Sequence, residues 1–305
     1  MLDNVMASLL RFFPLVLRQQ ISRQSLPRTP EPDEVMTGEE NVAQYDQMNQ
    51  THLALSYAAA LRTVHRAAAT RGREDRALDL GCGPGHFTLH LEACLKYGKT
   101  EGVDLSEPMI GAATENARRV KSAARFRVGD AADVNDAGSS HYSLVCFNQS
   151  AHHMPDLAFV ERVLTEMERV AKPDGLIIVT DLVRLKTAPL TERYVYLIGE
   201  DYHDLGLPDF FEDFHNSMYA AWTPDELREA IPTTTKRYWR HLVPSGLPTI
   251  QILVGLPEGR SKLYLRSGVP WTAENSPVPR HLRLEWNLLQ ATLALGSKRA
   301  IPPGG

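Results

Sequence analysis

Cysteine is scarce in this chain: three occur in 305 residues, at Cys82, Cys94 and Cys146, without metal-ligand spacing. A disulfide framework and a cysteine-built zinc site are thereby excluded, and the expectation is buried, reduced thiols in a cytoplasmic protein. Net charge is also small, formally −4, and no basic stripe extends beyond Arg118-Arg119-Val120-Lys121. That excludes a general attraction to nucleic acid, and the short basic run is expected on a solvated helix face. Long apolar runs are missing too. The stretch from Leu9 to Leu17 is broken by Arg11 and Pro14. It is too short to span a bilayer, and it lacks the charge order and cleavage site of a signal peptide. The expectation is a helix packed on the domain or on a partner subunit, without stable membrane insertion; association with a membrane surface is the alternative. At 43% hydrophobic and 23% charged residues, the composition is that of a globular chain with one substantial core and appendages.

What is present is concentrated between Ala77 and Leu105. The run Ala77-Leu78-Asp79-Leu80-Gly81-Cys82-Gly83-Pro84-Gly85-His86-Phe87 ends an apolar segment in a carboxylate and turns through alternate glycines into a helical segment. A second apolar run ends at Asp104, so the whole reads as a β-α-β unit of a nucleotide-binding α/β sheet. A dinucleotide site wants G-x-G-x-x-G around a pyrophosphate. Here the last glycine comes one residue early, and His86 stands where that pattern needs glycine. Asp79 would repel a pyrophosphate but suits a phosphate-free cation. S-adenosylmethionine carries an ammonium and a sulfonium beside its adenosine. Asp104 lies where an acidic residue accepts hydrogen bonds from ribose hydroxyls.

On these residues the chain resembles the class I S-adenosylmethionine-dependent methyltransferases. Further segments extend the resemblance: Val128-Gly129-Asp130-Ala131-Ala132 as a third acidic strand end, Leu144 to Met154 as the fourth strand and its loop, and Val170 to Val179 as the turn into the fifth strand. The resemblance covers about 45–182, with a weaker match to about 256. It implies S-adenosylmethionine as cofactor, held by Asp79, Gly81, Cys82, Gly83, Asp104 and Leu105. Met109 would belong to the same set, Asp130 and Ala131 would lie about the adenine, and Asn148 and Gln149 beside the methionine portion. Tyr45 would belong to a lid over the cofactor, although plain packing on the sheet is an equal reading. Cys82 would serve as a small packing residue rather than a nucleophile.

The expected architecture is an α/β, Rossmann-like, seven-stranded, mostly parallel sheet with helices on both faces. A terminal antiparallel β-hairpin, a helical cap insertion and N- and C-terminal helical extensions complete it. Strands are expected at about 76–80, 99–104, 124–128, 142–147, 175–181, 236–242 and 249–255. Residues 1–40 read as an N-terminal extension ending in a proline-rich joint, 41–256 as the methyltransferase domain and 257–305 as a C-terminal extension. That extension holds a helix over His281–Leu295 and a frayed end. A single helical reading covers 41–69, with His52 on an exposed face. The insertion 183–222, rich in aromatic, acidic and histidine residues, is longer than a crossover needs and is expected to roof the strand ends. Its segment Asp213-Phe214-His215-Asn216-Ser217-Met218-Tyr219-Ala220-Ala221 resembles a D-F-x-N-S-x-x-A-A signature of a bacterial subgroup of these enzymes.

For chemistry, the loop after the fourth strand is the place to look, because in the family it lies near the transferred methyl. Adjacent His152 and His153 stand there, and a neutral imidazole is suited to proton transfer near neutral pH. His153 is the first candidate for base or substrate orienter and His152 the second; neighbouring side chains diverge, so one at most is expected to face the substrate. Substrate contacts are expected from Asp181, Tyr202, Asp213, His215 and Asn216, with His203 a further cap histidine. No metal is expected, since His203, His215 and Asp213 show no ligand spacing. An N/D-P-P-Y/F motif is absent, with Asn148-Gln149-Ser150-Ala151 in its place, which disfavours N-methylation of nucleic acid or protein. Three readings follow. The first is an enzyme methylating a small molecule, plausibly a secondary metabolite. The second methylates a peptide, a carrier-bound or a membrane-associated acceptor. The third is a cofactor-binding assembly subunit without catalysis. A homodimer through the terminal helices is a further expectation.

Overall fold

The computed structural model describes residues 2–32, 38–67, 74–134, 138–200, 202, 205–262 and 277–304. In chain order, α1 (Leu2–Ile21), α2 (Glu39–His52) and α3 (Ala54–Ala67) precede the sheet. There follow β1 (Arg76–Leu80), α4 (His86–Leu95), β2 (Lys99–Asp104), α5 (Glu107–Val120), β3 (Arg125–Val128), β4 (Tyr142–Asn148), α6 (Leu157–Val170) and β5 (Ala171–Leu182). The cap consists of α7 (Ala188–Gly199) and α8 (Pro208–Ala220); α9 (Pro224–Glu229), β6 (Trp239–Val243), β7 (Ile250–Gly255), α10 (Arg283–Leu295) and β8 (Ser297–Ile301) complete the chain.

The strand order is β3-β2-β1-β4-β5-β7-β6-β8. The first five strands run parallel, and β7, β6 and β8 each pair antiparallel with their neighbour. Alternation explains the burial of the central strands. In β4, Leu144 and Cys146 enter the core under α3, α4 and α10, while Val145 and Phe147 enter the core under α6. A third core, containing Leu15, Leu190, Phe210, Phe214 and Met218, joins α1 to the cap.

Three expectations are corrected. The sheet has eight strands, because Ser297–Ile301, for which no strand was expected, pairs with β6 from Trp239↔Ile301 to Val243↔Ser297. Pairing there covers backbone groups that β6 would otherwise leave at an open edge. The single helical reading over 41–69 is two helices divided at Leu53, and the part beyond Ala67 lies outside the described residues. The last helix begins at Arg283, after a short 3-10 turn over Arg280–Leu282.

Candidate active site

At the carboxyl ends of β1, β2 and β4 lies a cavity of about 300 Å³, where the strand order of an open parallel sheet reverses. Its floor is the glycine turn. Gly81, Gly83 and Gly85 have φ of 60°, 50° and 81°, a region that costs other residues a steric clash. At Gly85 a second constraint applies: a Cβ would lie 2.7 Å from Phe126 Cζ and 3.0 Å from Ala113 Cβ, so glycine lets the turn close on β3 and α5.

The acidic strand ends frame that turn. Asp104 accepts from the Gly83 amide at 2.8 Å and from the Ser106 amide at 2.9 Å, so it both shapes the turn and faces the cavity. Burial pushes its pKa up. Asp79 accepts from Thr88 Oγ1 at 2.7 Å, whereas its Oδ1 is buried without a partner. Burial raises the Asp79 carboxyl to about 7, with the neighbouring Asp104 adding to the effect and Thr88 opposing it. Asn148 has both amide atoms buried and unpartnered. Buried polar atoms are costly without a partner, so Asp79 and Asn148 together mark a place for a ligand that donates and accepts. All residues expected to hold the cofactor, from Tyr45 to Gln149, line this cavity. Among its described lining residues none is lysine or arginine.

Asp46 on α2 accepts from Asn116 Nδ2 at 2.6 Å and pairs with His86 Nε2 at 2.7 Å, which ties α2 across the glycine turn. Tyr45 then lies over the cavity, its ring 5.9 Å from that of Phe210 in the cap. His86, which breaks the dinucleotide pattern, thus serves as the anchor of that tie.

Beyond Asn148 the chain bends sharply. Gln149 has φ of 54°, a strained value for a residue with a side chain. Its amide donates to Thr180 O and its Nε2 to Ser56 Oγ, both at 2.7 Å, which hold the bend. A 3-10 turn over Ala151–His153 follows and carries both histidines to the cavity wall. Contrary to expectation, both line it: the rings lie side by side, centroids 4.2 Å apart and tilted by 39°. His152 Nδ1 bonds Asp181 Oδ1 at 2.5 Å, while its Nε2 is 4.0 Å from Glu31 Oε1. His153 Nδ1 bonds Glu31 Oε2, and Ser217 Oγ donates to Glu31 Oε1 at 2.7 Å. Burial would raise the Glu31 carboxyl, but the facing His153, His152 and Ser217 hold it down at about 2. Burial would likewise lower His153, but the Glu31 charge outweighs it and holds the imidazole up at about 9.

The cap residues divide by helix face. Asp213 and Asn216 reach the cavity with Phe210, Phe214 and Ser217 of the same face; burial, then the charge of Glu31, raises the Asp213 carboxyl to about 6. His215 turns outward to Glu192 at 2.9 Å and does not line the cavity. Tyr202 is buried in the cap core, where it bonds His52. Asp181 is buried behind His152 rather than exposed to a substrate. These three expectations of direct substrate contact are corrected to supporting positions. His203 lies outside the described residues. His52, expected on an exposed face, lines the cavity, with its pKa lowered by burial to about 4.

Two residues of the proline-rich joint were not anticipated. Glu31 enters the cavity wall, and Arg28 fixes the segment that delivers it. The Arg28 guanidinium donates to the carbonyls of Ala220, Pro155, His152 and Met154 at 2.6–2.9 Å and lies 3.8 Å from the centroid of Trp222. Trp222 in turn donates to Ala151 O at 2.7 Å. The carbonyls left over by the 3-10 turn are thereby satisfied by the joint and the end of the cap. The only signal in the sequence was an acidic residue between prolines, Pro30-Glu31-Pro32.

Residues 77–175 match the family model described as "Methyltransferase domain". An ubiquinone biosynthesis O-methyltransferase of Methylococcus capsulatus is 30% identical over 155 residues, covering 49% of this chain and 61% of that protein. A malonyl-[acyl-carrier protein] O-methyltransferase of Legionella pneumophila is 31% identical over 140 residues, covering 43% of this chain and 47% of that protein. The chain thus spans about half to three fifths of these relatives. Among solved structures, the plantazolicin methyltransferase in complex with SAH superposes with a TM-score of 0.53 at 13% identity, over 84% of this chain and 98% of that one, a likeness of fold. The matched span, about a third of the chain, is similar to methyltransferase domains, and this similarity supports S-adenosylmethionine as its cofactor.

Proposed function

We propose that this protein transfers a methyl group from S-adenosylmethionine to a small-molecule acceptor with an apolar or planar body, seated under the cap. The observation that carries this reading is continuity. One cavity runs from Asp79, Asp104 and the unpartnered Asn148 to His152, His153 and Glu31, under the aromatic side chains of Tyr45, Phe210 and Phe214.

The residues at the first end fit the cofactor. Asp79 Oδ1 and the Asn148 amide need charged or polar partners, which an amino-acid group with ammonium and carboxylate provides. Asp104 is the ribose acceptor, each oxygen keeping a lone pair beyond its backbone bond. Asp130 and Ala131, which line the same cavity, would hold the adenine. The absence of lysine and arginine among the lining residues suits a cation and disfavours a diphosphate. When bound, the cofactor supplies a methyl group already activated on a sulfonium.

The protein's own contribution is then alignment, which in favourable cases contributes about 7–11 kcal/mol. The cap aromatics hold the acceptor's body, and Asp213, Asn216 and Ser217 offer it polar contacts. His152 and His153 form the pole at which the nucleophilic atom is oriented, with His152 Nε2 the nitrogen placed to receive its proton, because Glu31 holds His153 protonated. Asp181 fixes the His152 ring from behind, and Glu31 fixes His153. Polar atoms so tethered lose little freedom on binding, the condition for productive alignment.

One observation favours the second reading, an acceptor presented by a peptide, carrier or membrane. Phe13, Leu17 and Ile21 form an exposed apolar row on α1, beside the cap. The test is to incubate the protein with methyl-labelled cofactor and separate pools of phenolic and quinol metabolites, peptides and acyl carriers. Label transfer to a small molecule with release of demethylated cofactor is the expected result. Transfer only to peptide or carrier moves the assignment to the second reading. Tight cofactor binding without transfer to any pool rejects both in favour of an assembly subunit.

A further inference from the structure

Taking the acceptor pole described above as given, we propose that Glu31, His152 and His153 bind a divalent transition-metal ion that takes the acceptor's nucleophilic oxygen as a ligand. One donor atom from each residue lies within 4.8 Å of the other two. Two imidazole nitrogens and one carboxylate are a donor set suited to zinc, manganese or ferrous iron, with positions left open for a substrate.

Proximity alone would not distinguish such a site from a buried ion pair. The surrounding bonds do. Metal-ligating histidines characteristically have their other ring nitrogen held by a carboxylate or carbonyl. His152 has this arrangement: Nδ1 is occupied by Asp181 at 2.5 Å, so Nε2 is the nitrogen that turns toward Glu31. The carboxylate is held as well, by Ser217 Oγ at 2.7 Å. Asp181 is fully buried, with its Oδ2 unpartnered, so the group backing His152 is a carboxyl shut off from solvent. Asp213 adds a further carboxylate to the cavity lining. Of the nearby cations, Arg28 spends its guanidinium on carbonyl oxygens and on Trp222. The pole therefore presents carboxylates and imidazoles to the cavity, with no lysine or arginine among the described lining residues.

The function of the ion follows from its place. When a hydroxyl acceptor coordinates it, the O–H bond breaks heterolytically. The electron pair remains on the metal-bound oxygen, and the proton passes to solvent. The oxygen is then both charged and fixed in direction, which are the two properties an in-line attack requires. Two adjacent histidines and a carboxylate about 120 residues earlier form no spacing pattern; only the extended joint brings them together.

The test uses the full chain stripped by chelation and titrated with zinc, manganese and cobalt(II), read by calorimetry and by the visible absorption of bound cobalt. The expected result is one equivalent bound, with cobalt bands that shift when acceptor is added. Glu31→Gln is expected to weaken metal binding by more than about 100-fold, and Asp181→Asn by about 10- to 100-fold, while both keep cofactor affinity. Unsaturable binding, or equal metal affinity in the parent and in Glu31→Gln with normal near-UV circular dichroism, overturns the metal site. Methyl transfer undiminished in the chelated protein also overturns it and leaves the methyltransferase reading intact. One equivalent of metal bound, with neither cofactor binding nor transfer, defeats that reading instead.

Discussion

Replacing Arg28 by alanine isolates the contribution of the N-terminal joint. The guanidinium makes four hydrogen bonds to carbonyl oxygens and stacks on Trp222. A hydrogen bond from a charged donor is worth about 1.5–3 kcal/mol. Four bonds on one group are not additive, one of them lies at the surface, and fixing the side chain costs about 2 kcal/mol of rotamer freedom. A net loss of about 2–4 kcal/mol in docking of the joint is therefore expected, a factor of roughly 30 to 1,000 in its docked population. Arg184 supplies a second anchor, donating to Leu26 O at 2.8 Å, so the chain is not expected to detach upstream of that point. Glu31 lies on the freed side. Hydrogen exchange of residues 27–32 should accelerate, and turnover should fall at least tenfold, with cofactor affinity within about twofold of the parent. Because Asp79, Asp104 and Asn148 sit on the sheet, their geometry does not depend on the joint. Unchanged exchange in 27–32, or an equal loss of cofactor affinity and turnover, would refute the reasoning.

Further expectations concern the cofactor end. Asp104→Ala removes the partner of the Gly83 and Ser106 amides together with the ribose acceptor, and should weaken cofactor binding by about 1–3 kcal/mol, or 5- to 150-fold by calorimetry. Gly85→Ala forces a side chain into φ of 81° and against Phe126, costing about 2–4 kcal/mol in denaturant unfolding. Gly83→Ala, where the nearest atom is Tyr45 Cε1 at 3.9 Å, should cost less; equal losses would contradict the close approach to β3. Asp79 titrates at about 7 in the ligand-free protein, raised above its ordinary 3.8 by burial. A carboxyl with a raised folded pKa contributes stability that is present below pH 3.8 and lost as pH rises to about 7. A cationic ligand favours the ionised form, so its affinity should rise with pH across that window with release of a proton, measurable by calorimetry in buffers of different ionisation enthalpy.

The centre of the sheet was legible because β1 and β4 are apolar runs with a polar residue at or next to the end, Asp79 and Asn148, and β2 closes on Asp104. The glycine turn was legible for a steric reason, since three positive φ values in alternate positions leave little choice of residue. What escaped the reading depends on tertiary pairing or on helix phase. β8 is the polar segment Ser-Lys-Arg-Ala-Ile, whose strand character arises only from the open edge of β6. His215 and Asp213 stand two residues apart on α8, yet that places them on different faces, one toward Glu192 and one toward the cavity. Tyr202 and His52 found each other across about 150 residues, which no local pattern records. Glu31 was invisible for the same reason.

The central claim is that the carboxylate-framed glycine turn holds a phosphate-free adenosyl cation. Calorimetric titration of the intact protein with S-adenosylmethionine, and in parallel with a nicotinamide dinucleotide, tests it most directly. One equivalent of the first bound, an affinity lost in Asp104→Ala, and no heat from the second are the predicted results. Saturable binding of the dinucleotide, with none of the sulfonium compound, would contradict it.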